Sequence, residues 1–172
     1  MLASAPALVE RFPGIQIDAA VSRQMSAAPG ILEQLAGSGQ LRRYVLVGLG
    51  TNGPIDRATL DRLLEIVGPE RELIFVRPYA PRDWIPGVDA ELASFVTAHR
   101  DIEVADWAGA IGARTDLLAD DQVHPGGAGG QLFADEVEKA VDEAEAKRAA
   151  AAFWRDYHAA QRAQGILPPD PH

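Results

Sequence analysis

The chain has 172 residues, no cysteine, 47% hydrophobic and 24% charged residues, and a formal net charge of −9. That length suits one ordinary globular core. The acidic balance and the lack of any basic run argue against a nucleic-acid partner, and the lack of cysteine excludes a disulfide framework, a thiolate nucleophile and a cysteine-based zinc site.

The opening MLASAPALVERFPG has no basic start and too short an apolar run for a signal peptide. No stretch approaches the roughly 20 apolar residues that a membrane helix needs. As written, the chain is expected to be soluble and cytoplasmic. A helical pattern opens it (APALVERF, 5–12), and IQIDAAV (15–21) then reads as a first strand. APGILEQLAGSG (28–39) is helical up to its glycines, and YVLVGL (44–49) is a second strand. IDRATLDRLLEIVG (55–68) is helical and stops at Gly68, before ELIFVRPY (72–79) as a third strand. GVDAELASFVTAHR (87–100) is again helical, and IEVADW (102–107) is a fourth strand. The second and third strands are nearly continuous in Val, Leu, Ile and Phe, as expected for strands buried on both faces of a parallel sheet. The alternation predicts an α/β three-layer sandwich with helices flanking a parallel sheet. After GGAGG a long helix is expected over 132–164, with Phe133, Val137, Ala140, Val141 and Ala144 as its apolar stripe. The division drawn is a domain over 1–145 and a helical extension and tail over 146–172, where Phe153, Trp154, Tyr157 and His158 form an aromatic patch.

VLVGLGTNG contains G-x-G-x-x-G after a strand, through Gly48, Gly50 and Gly53, and so matches a dinucleotide fingerprint. A nucleotide site wants the helix to begin inside that turn, where its N-terminus meets the pyrophosphate. Here Pro54 follows and the helical pattern starts near Asp56. The next strand ends in Arg77-Pro78 rather than in the acidic residue a ribose requires. The other reading is a loop at the carboxyl edge of the sheet that presents Asn52, whose amide can donate to a developing oxyanion.

DDQVHP places Asp121 three residues before His124. A carboxylate so placed on a turn can accept from one ring nitrogen and leave the other as general base. His99, His158 and His172 lack such company and are expected to be solvated.

With FPGIQIDAAVSRQ, GTNG, the RDW of 82–84, VADW (104–107) and DDQVHPGGAGGQLFA taken together, the chain resembles the SGNH (GDSL-like) hydrolases. The resemblance is closest to the SGNH domains attached to membrane acyltransferases that O-acetylate glycans, and it covers about 1–145. It implies a flavodoxin-like sheet, Asp121 and His124 as triad members, and Asn52 in the oxyanion hole. Ser22 stands where the family has a glycine whose N–H also serves that hole. Arg23, Gly50 and Thr51 become candidate substrate contacts, Arg23 equally a contact to an adjacent loop. No metal or organic cofactor is implied.

The family's nucleophilic serine ends a first strand in G-D-S, a block this sequence does not contain. By alignment the serine would stand two residues before Met1; Ser4, Ser22 and Ser26 are poorly placed to replace it. The expectation is an esterase or O-acyltransferase domain for acetylated carbohydrate that is inactive as written, or a non-catalytic module of the same fold. The compartment becomes extracytoplasmic if the chain is a piece of a membrane acyltransferase. Without an interior strand between 15–21 and 44–49, a marginal fold or self-association through the sheet edge or the last helix is also expected.

Overall fold

The computed structural model describes residues 2–166 and 168. After a 3-10 turn at Leu2–Ser4 comes α1 (Ala5–Arg11), then α2 (Ala28–Gly37) and the first strand, β1 (Tyr44–Val47). α3 (Arg57–Val67), β2 (Glu72–Val76), α4 (Ile85–Ala98), β3 (Glu103–Ala105) and α5 (Trp107–Gly112) alternate, and α6 (Gly127–Ala163) closes the order. The sheet runs β1-β2-β3, with Tyr44 opposite Glu72 and Ile74 opposite Glu103, and both pairings are parallel.

The strands are apolar because helices cover both faces. On one face Met25, Leu32, Leu60, Leu63, Phe75 and Phe95 pack with Val45 and Val47. On the other, Leu8, Ile74, Val76, Trp107, Phe133 and Val137 form a second core, and Tyr44 and Leu46 pack on its rim. Alternate residues of β1 therefore serve opposite cores, the two-residue period of a strand. Leu60, Leu63, Phe75 and Phe95 are fully buried, each worth roughly 1.5–3 kcal/mol relative to exposure. The three-layer α/β architecture read from the sequence is the architecture observed.

Several elements differ from expectation. The segment 15–21 is not a strand: it pairs with nothing, although Ile15, Ile17 and Ala19 are half-buried and Gln16, Asp18 and Ala20 exposed. It has the alternation of a strand without a ladder to join, and pairing is what makes a strand. The expected strands at 72–79 and 102–107 are shorter, β3 ending where the Asp106 carboxylate accepts the Gly109 N–H at 3.0 Å and starts α5. The last helix begins at Gly127 rather than near 132. At Gly129 the first turn is too crowded for a side chain: a Cβ there would stand 2.6 Å from the Leu117 carbonyl oxygen and 2.9 Å from Pro125 Cβ.

α6 runs unbroken through position 145, and its last buried residue is Ala144. Beyond it Phe153, Trp154 and Tyr157 are exposed, Phe153 and Tyr157 stacked and Trp154 edge-on to both. His158 lies against Trp154 and His99 against Phe95; His172 lies outside the described residues.

Candidate active site

The DDQVHP loop is closed by its own main chain. Leu118 and Pro125 form an antiparallel bridge, and the Ala119 N–H donates to the His124 carbonyl at 2.7 Å. Gln122 takes a left-handed φ of 56° to make the turn. Inside it, Asp121 Oδ1 accepts the main-chain N–H groups of Val123 and His124, both at 3.0 Å, and Oδ2 lies 2.6 Å from His124 Nδ1. Aspartate favours such turns because its side chain can replace a main-chain acceptor. The His124 N–H, then its ring, then the Val123 N–H hold the Asp121 carboxyl far below the usual carboxylate range. An ionised carboxylate can only accept, so Nδ1 of the neutral ring carries the proton. Nε2 keeps its lone pair and has no hydrogen-bond partner among the described residues. The ring is well exposed, as a base for an incoming substrate must be.

Asn52 lies in the loop after β1 and donates from Nδ2 to the Arg23 carbonyl at 3.2 Å. That bond ties the GTNG loop to the loop holding Ser22. Ser22 has φ 57°, a left-handed conformation that L residues other than Asn and Asp seldom adopt. The position thus has the backbone of a glycine. Gly50, at φ 117°, lets the loop pass Val88 and Pro78: a Cβ there would stand 3.0 Å from Val88 Cγ1. Arg23 does not reach outward. Its guanidinium bonds the Asp18 carbonyl at 3.0 Å and the Asp18 carboxylate at 2.9 Å, bracing the 15–21 segment.

The dinucleotide reading fails on the geometry of α3. Its N-terminus begins ten residues after β1 ends and is occupied by Asp56, which accepts the Thr59 N–H at 2.9 Å. Arg77, where the ribose acid would stand, pairs with Asp89 at 2.9 Å and Asp106 at 3.0 Å.

A groove of about 940 Å³ passes between the 15–21 segment and β1. Ser22, Thr51, Asn52, Asp121 and His124 are all among the residues that line it. Residues singled out from three separate stretches therefore line one groove, and the loop after β1 that carries Asn52 lies at the edge of the sheet where open α/β sheets bind ligands. A smaller polar cleft of about 520 Å³ adjoins it, shared by Ser22, Thr51 and Asn52 with Gln24, Arg82, Asp83 and Trp84. Sequence reasoning assigned no role to Gln24, Arg82 or Trp84; the RDW stretch was the available signal.

No protein-family model matches the chain. A structure of the C-terminal catalytic domain of the Streptococcus pneumoniae peptidoglycan O-acetyltransferase A, bearing a methylsulfonyl adduct, superposes with a TM-score of 0.74 at 25% identity, covering 84% of this chain and 88% of that one. The O-acetyltransferase OatA of Staphylococcus aureus is 26% identical over 77% of this chain, and the peptidoglycan O-acetyltransferase OatA of Listeria monocytogenes 29% over 77%. The chain is similar to the SGNH-type domains of peptidoglycan O-acetyltransferases. It spans 22% and 21% of the length of those two relatives. A carbohydrate esterase family 3 structure from Talaromyces cellulolyticus shares the fold, with a TM-score of 0.59 at 18% identity over 77% of each chain.

No serine hydroxyl bonds to His124 among the described residues. Ser4 is fully buried. No group of His, Asp and Glu able to hold a metal ion occurs among them, and no described helix is long and apolar enough to cross a membrane.

Proposed function

We propose that the domain acts on acetyl esters of carbohydrate by acyl transfer, with Asp121 and His124 as orienting acid and general base. The single observation that supports this most is the shared groove: His124, whose Nε2 has no hydrogen-bond partner among the described residues, lines the same groove as Asn52 and Ser22. A hydroxyl nucleophile entering there gives its proton to Nε2 as its oxygen attacks the acyl carbon. The carbonyl oxygen becomes an oxyanion, held by an Asn52 amide N–H and the Ser22 main-chain N–H. The imidazolium, stabilised by Asp121, then returns the proton to the departing sugar oxygen as the ester C–O bond breaks. A water or a glycan hydroxyl takes the acyl group by the same steps in reverse.

No serine hydroxyl bonds to His124 among the described residues, and the proposal is that residues 1–172 by themselves do not turn over esters. The test is the chain extended at its amino end by an apolar strand ending in Gly-Asp-Ser. It should release acetate from O-acetylated glycan and from p-nitrophenyl acetate, and His124→Ala in that extended chain should remove the turnover. An extended chain that melts cooperatively yet shows no His124-dependent turnover overturns the proposal. That result would instead favour a non-catalytic module of the same fold, a reading supported by the absence of any hydroxyl bonded to His124.

A further inference from the structure

We infer that the polar cleft beside the groove is a subsite for a carboxylate carried on a sugar, held by the guanidinium of Arg82. Three stretches wall it: Ser22 and Gln24, then Thr51 and Asn52, then the turn of Pro81, Arg82, Asp83 and Trp84. Main-chain bonds close that turn. The Arg82 N–H donates to the Ala80 carbonyl at 2.9 Å, and the Arg82 carbonyl accepts the Ile85 N–H at 3.1 Å, where α4 starts. Trp84 packs on the core of Phe75 and Phe95. Its Nε1 is buried without a partner, so the ring anchors the turn and offers the cleft no donor. Arg82 and Asp83, between these anchors, are exposed. On the facing wall, the Asn52 amide on the Arg23 carbonyl at 3.2 Å joins the other two stretches. The Gln24 side chain lies against Gly53, where a Cβ would stand 3.5 Å from its Nε2.

What the cleft can hold follows from which of its groups are already engaged. The side chains of Gln24, Thr51, Arg82 and Asp83 make no hydrogen bond or ion pair among the described residues. The guanidinium discriminates best. Elsewhere on this acidic surface arginines find carboxylates: Arg62 reaches Glu33 and Glu65, Arg77 reaches Asp89 and Asp106, and Arg114 reaches Asp116. Arg82 pairs with none, although Asp83 follows it in the chain and lines the same cleft. A guanidinium presents its donors as a planar fork, which matches the two oxygens of a carboxylate. Asp83 accepts, and Gln24 both donates and accepts, which suits the hydroxyls of a sugar ring. The neighbouring carboxylate and the net charge of −9 favour a singly charged group over a phosphate. The volume, about 520 Å³, lies in the range of small-ligand clefts. Position gives the subsite its use: Ser22, Thr51, Asn52 and Arg82 line both this cleft and the groove that His124 lines. A glycan with its acyl ester in the groove can therefore lay a carboxylate on Arg82, which selects acidic glycans over neutral ones.

That the ligand is a sugar rests on the proposed function; the carboxylate on Arg82 does not. The test titrates the 172-residue chain with the methyl glycoside of glucuronic acid and with its uncharged amide, read from side-chain N–H signals by NMR. The acid should shift the Arg82 Nε–H and the Gln24 amide. It should bind about tenfold more tightly than the amide, the scale of a charge-assisted bond. Arg82→Gln should remove that preference, and added salt should weaken it. Arg82→Lys should keep only part of it, because the charge stays and the fork is lost. Asp83→Asn removes the competing carboxylate, so it should tighten the acid by about two- to fivefold and not the amide. That gain is an independent reading should Arg82→Gln not fold. Equal affinity for acid and amide overturns the proposal, as does a preference that survives Arg82→Gln or tighter binding of glucose 6-phosphate. Acetate bound as tightly as the glucuronide overturns the sugar subsite. The two readings fail separately. An extended chain without His124-dependent turnover sinks the proposed function and leaves Arg82-dependent binding standing, whereas loss of that binding leaves the function standing.

Discussion

Asp121 and His124 are joined twice over. One carboxylate oxygen accepts the His124 main-chain N–H at 3.0 Å and the Val123 N–H at the same length, while the other holds the ring nitrogen at 2.6 Å. The turn that brings the two together is built by the same carboxylate that orients the ring. Loss of that charge should therefore disturb the loop and the base together. In a chain supplied with its nucleophile, Asp121→Asn should lower turnover by about 10⁴-fold, the scale seen when a triad acid loses its charge. A steady-state assay decides, and a loss under tenfold would remove Asp121 from the mechanism.

Acid should act on the loop late. The folded carboxyl of Asp121 lies below its ordinary value, so its contribution to stability is fully present above about pH 4 and lost as pH falls through the folded value. The carboxyl-carbon shift of Asp121 should titrate with a midpoint well below 3.8. A midpoint at or above it would mean that the turn is not formed in solution.

The 172-residue chain should hydrolyse p-nitrophenyl acetate no faster than its His124→Ala variant. None of its described serines bonds to that ring, and a base without a nucleophile performs no acyl transfer. His124-dependent turnover by the unextended chain would show that a residue already present attacks.

Ser22 holds a left-handed backbone at φ 57°. Relief of that conformation is worth about 1–2 kcal/mol, of which glycine gives back roughly 0.5–1 kcal/mol through its freer unfolded chain. Ser22→Gly should raise the melting temperature by about 1–4 °C. A lower melting temperature would show that the Ser22 side chain does more than occupy the turn.

Gly129 tests the crowding at the start of α6. A methyl group there meets the Leu117 carbonyl and Pro125, which follows His124 directly. Gly129→Ala should cost about 1–3 kcal/mol as an overpacked substitution and shift the His124 loop. Thermal melts with ring-proton spectra of His124 give both readings, and an unchanged melt would mean that α6 yields at no cost.

The extension is proposed to be separable. Burial on α6 ends at Ala144, and Arg148 still reaches Glu72 at 2.8 Å. Truncation after Arg148 should leave the melting temperature within about 1 °C, surface changes costing under roughly 0.5 kcal/mol. Sedimentation of both lengths shows whether the Phe153–Trp154–Tyr157 patch holds copies together; a large destabilisation on truncation would place the boundary further along the helix.

Local chemistry carried the parts that the sequence alone determined. The alternation of apolar runs with helical periods specified a three-layer α/β domain, because each element's burial pattern is written in its own neighbours. The Asp121–His124 pair was legible for the same reason, since three residues and one turn contain the whole contact. Tertiary structure decided the rest. IQIDAAV has a strand's alternation and is no strand, because a ladder needs a second chain segment at its side. GGAGG reads as loop and is helix, because the crowding that demands glycine comes from Leu117 and Pro125. Ser22, Asn52 and His124 line one groove only because packing brings three separate loops together, and that juxtaposition is a property no single stretch of sequence contains.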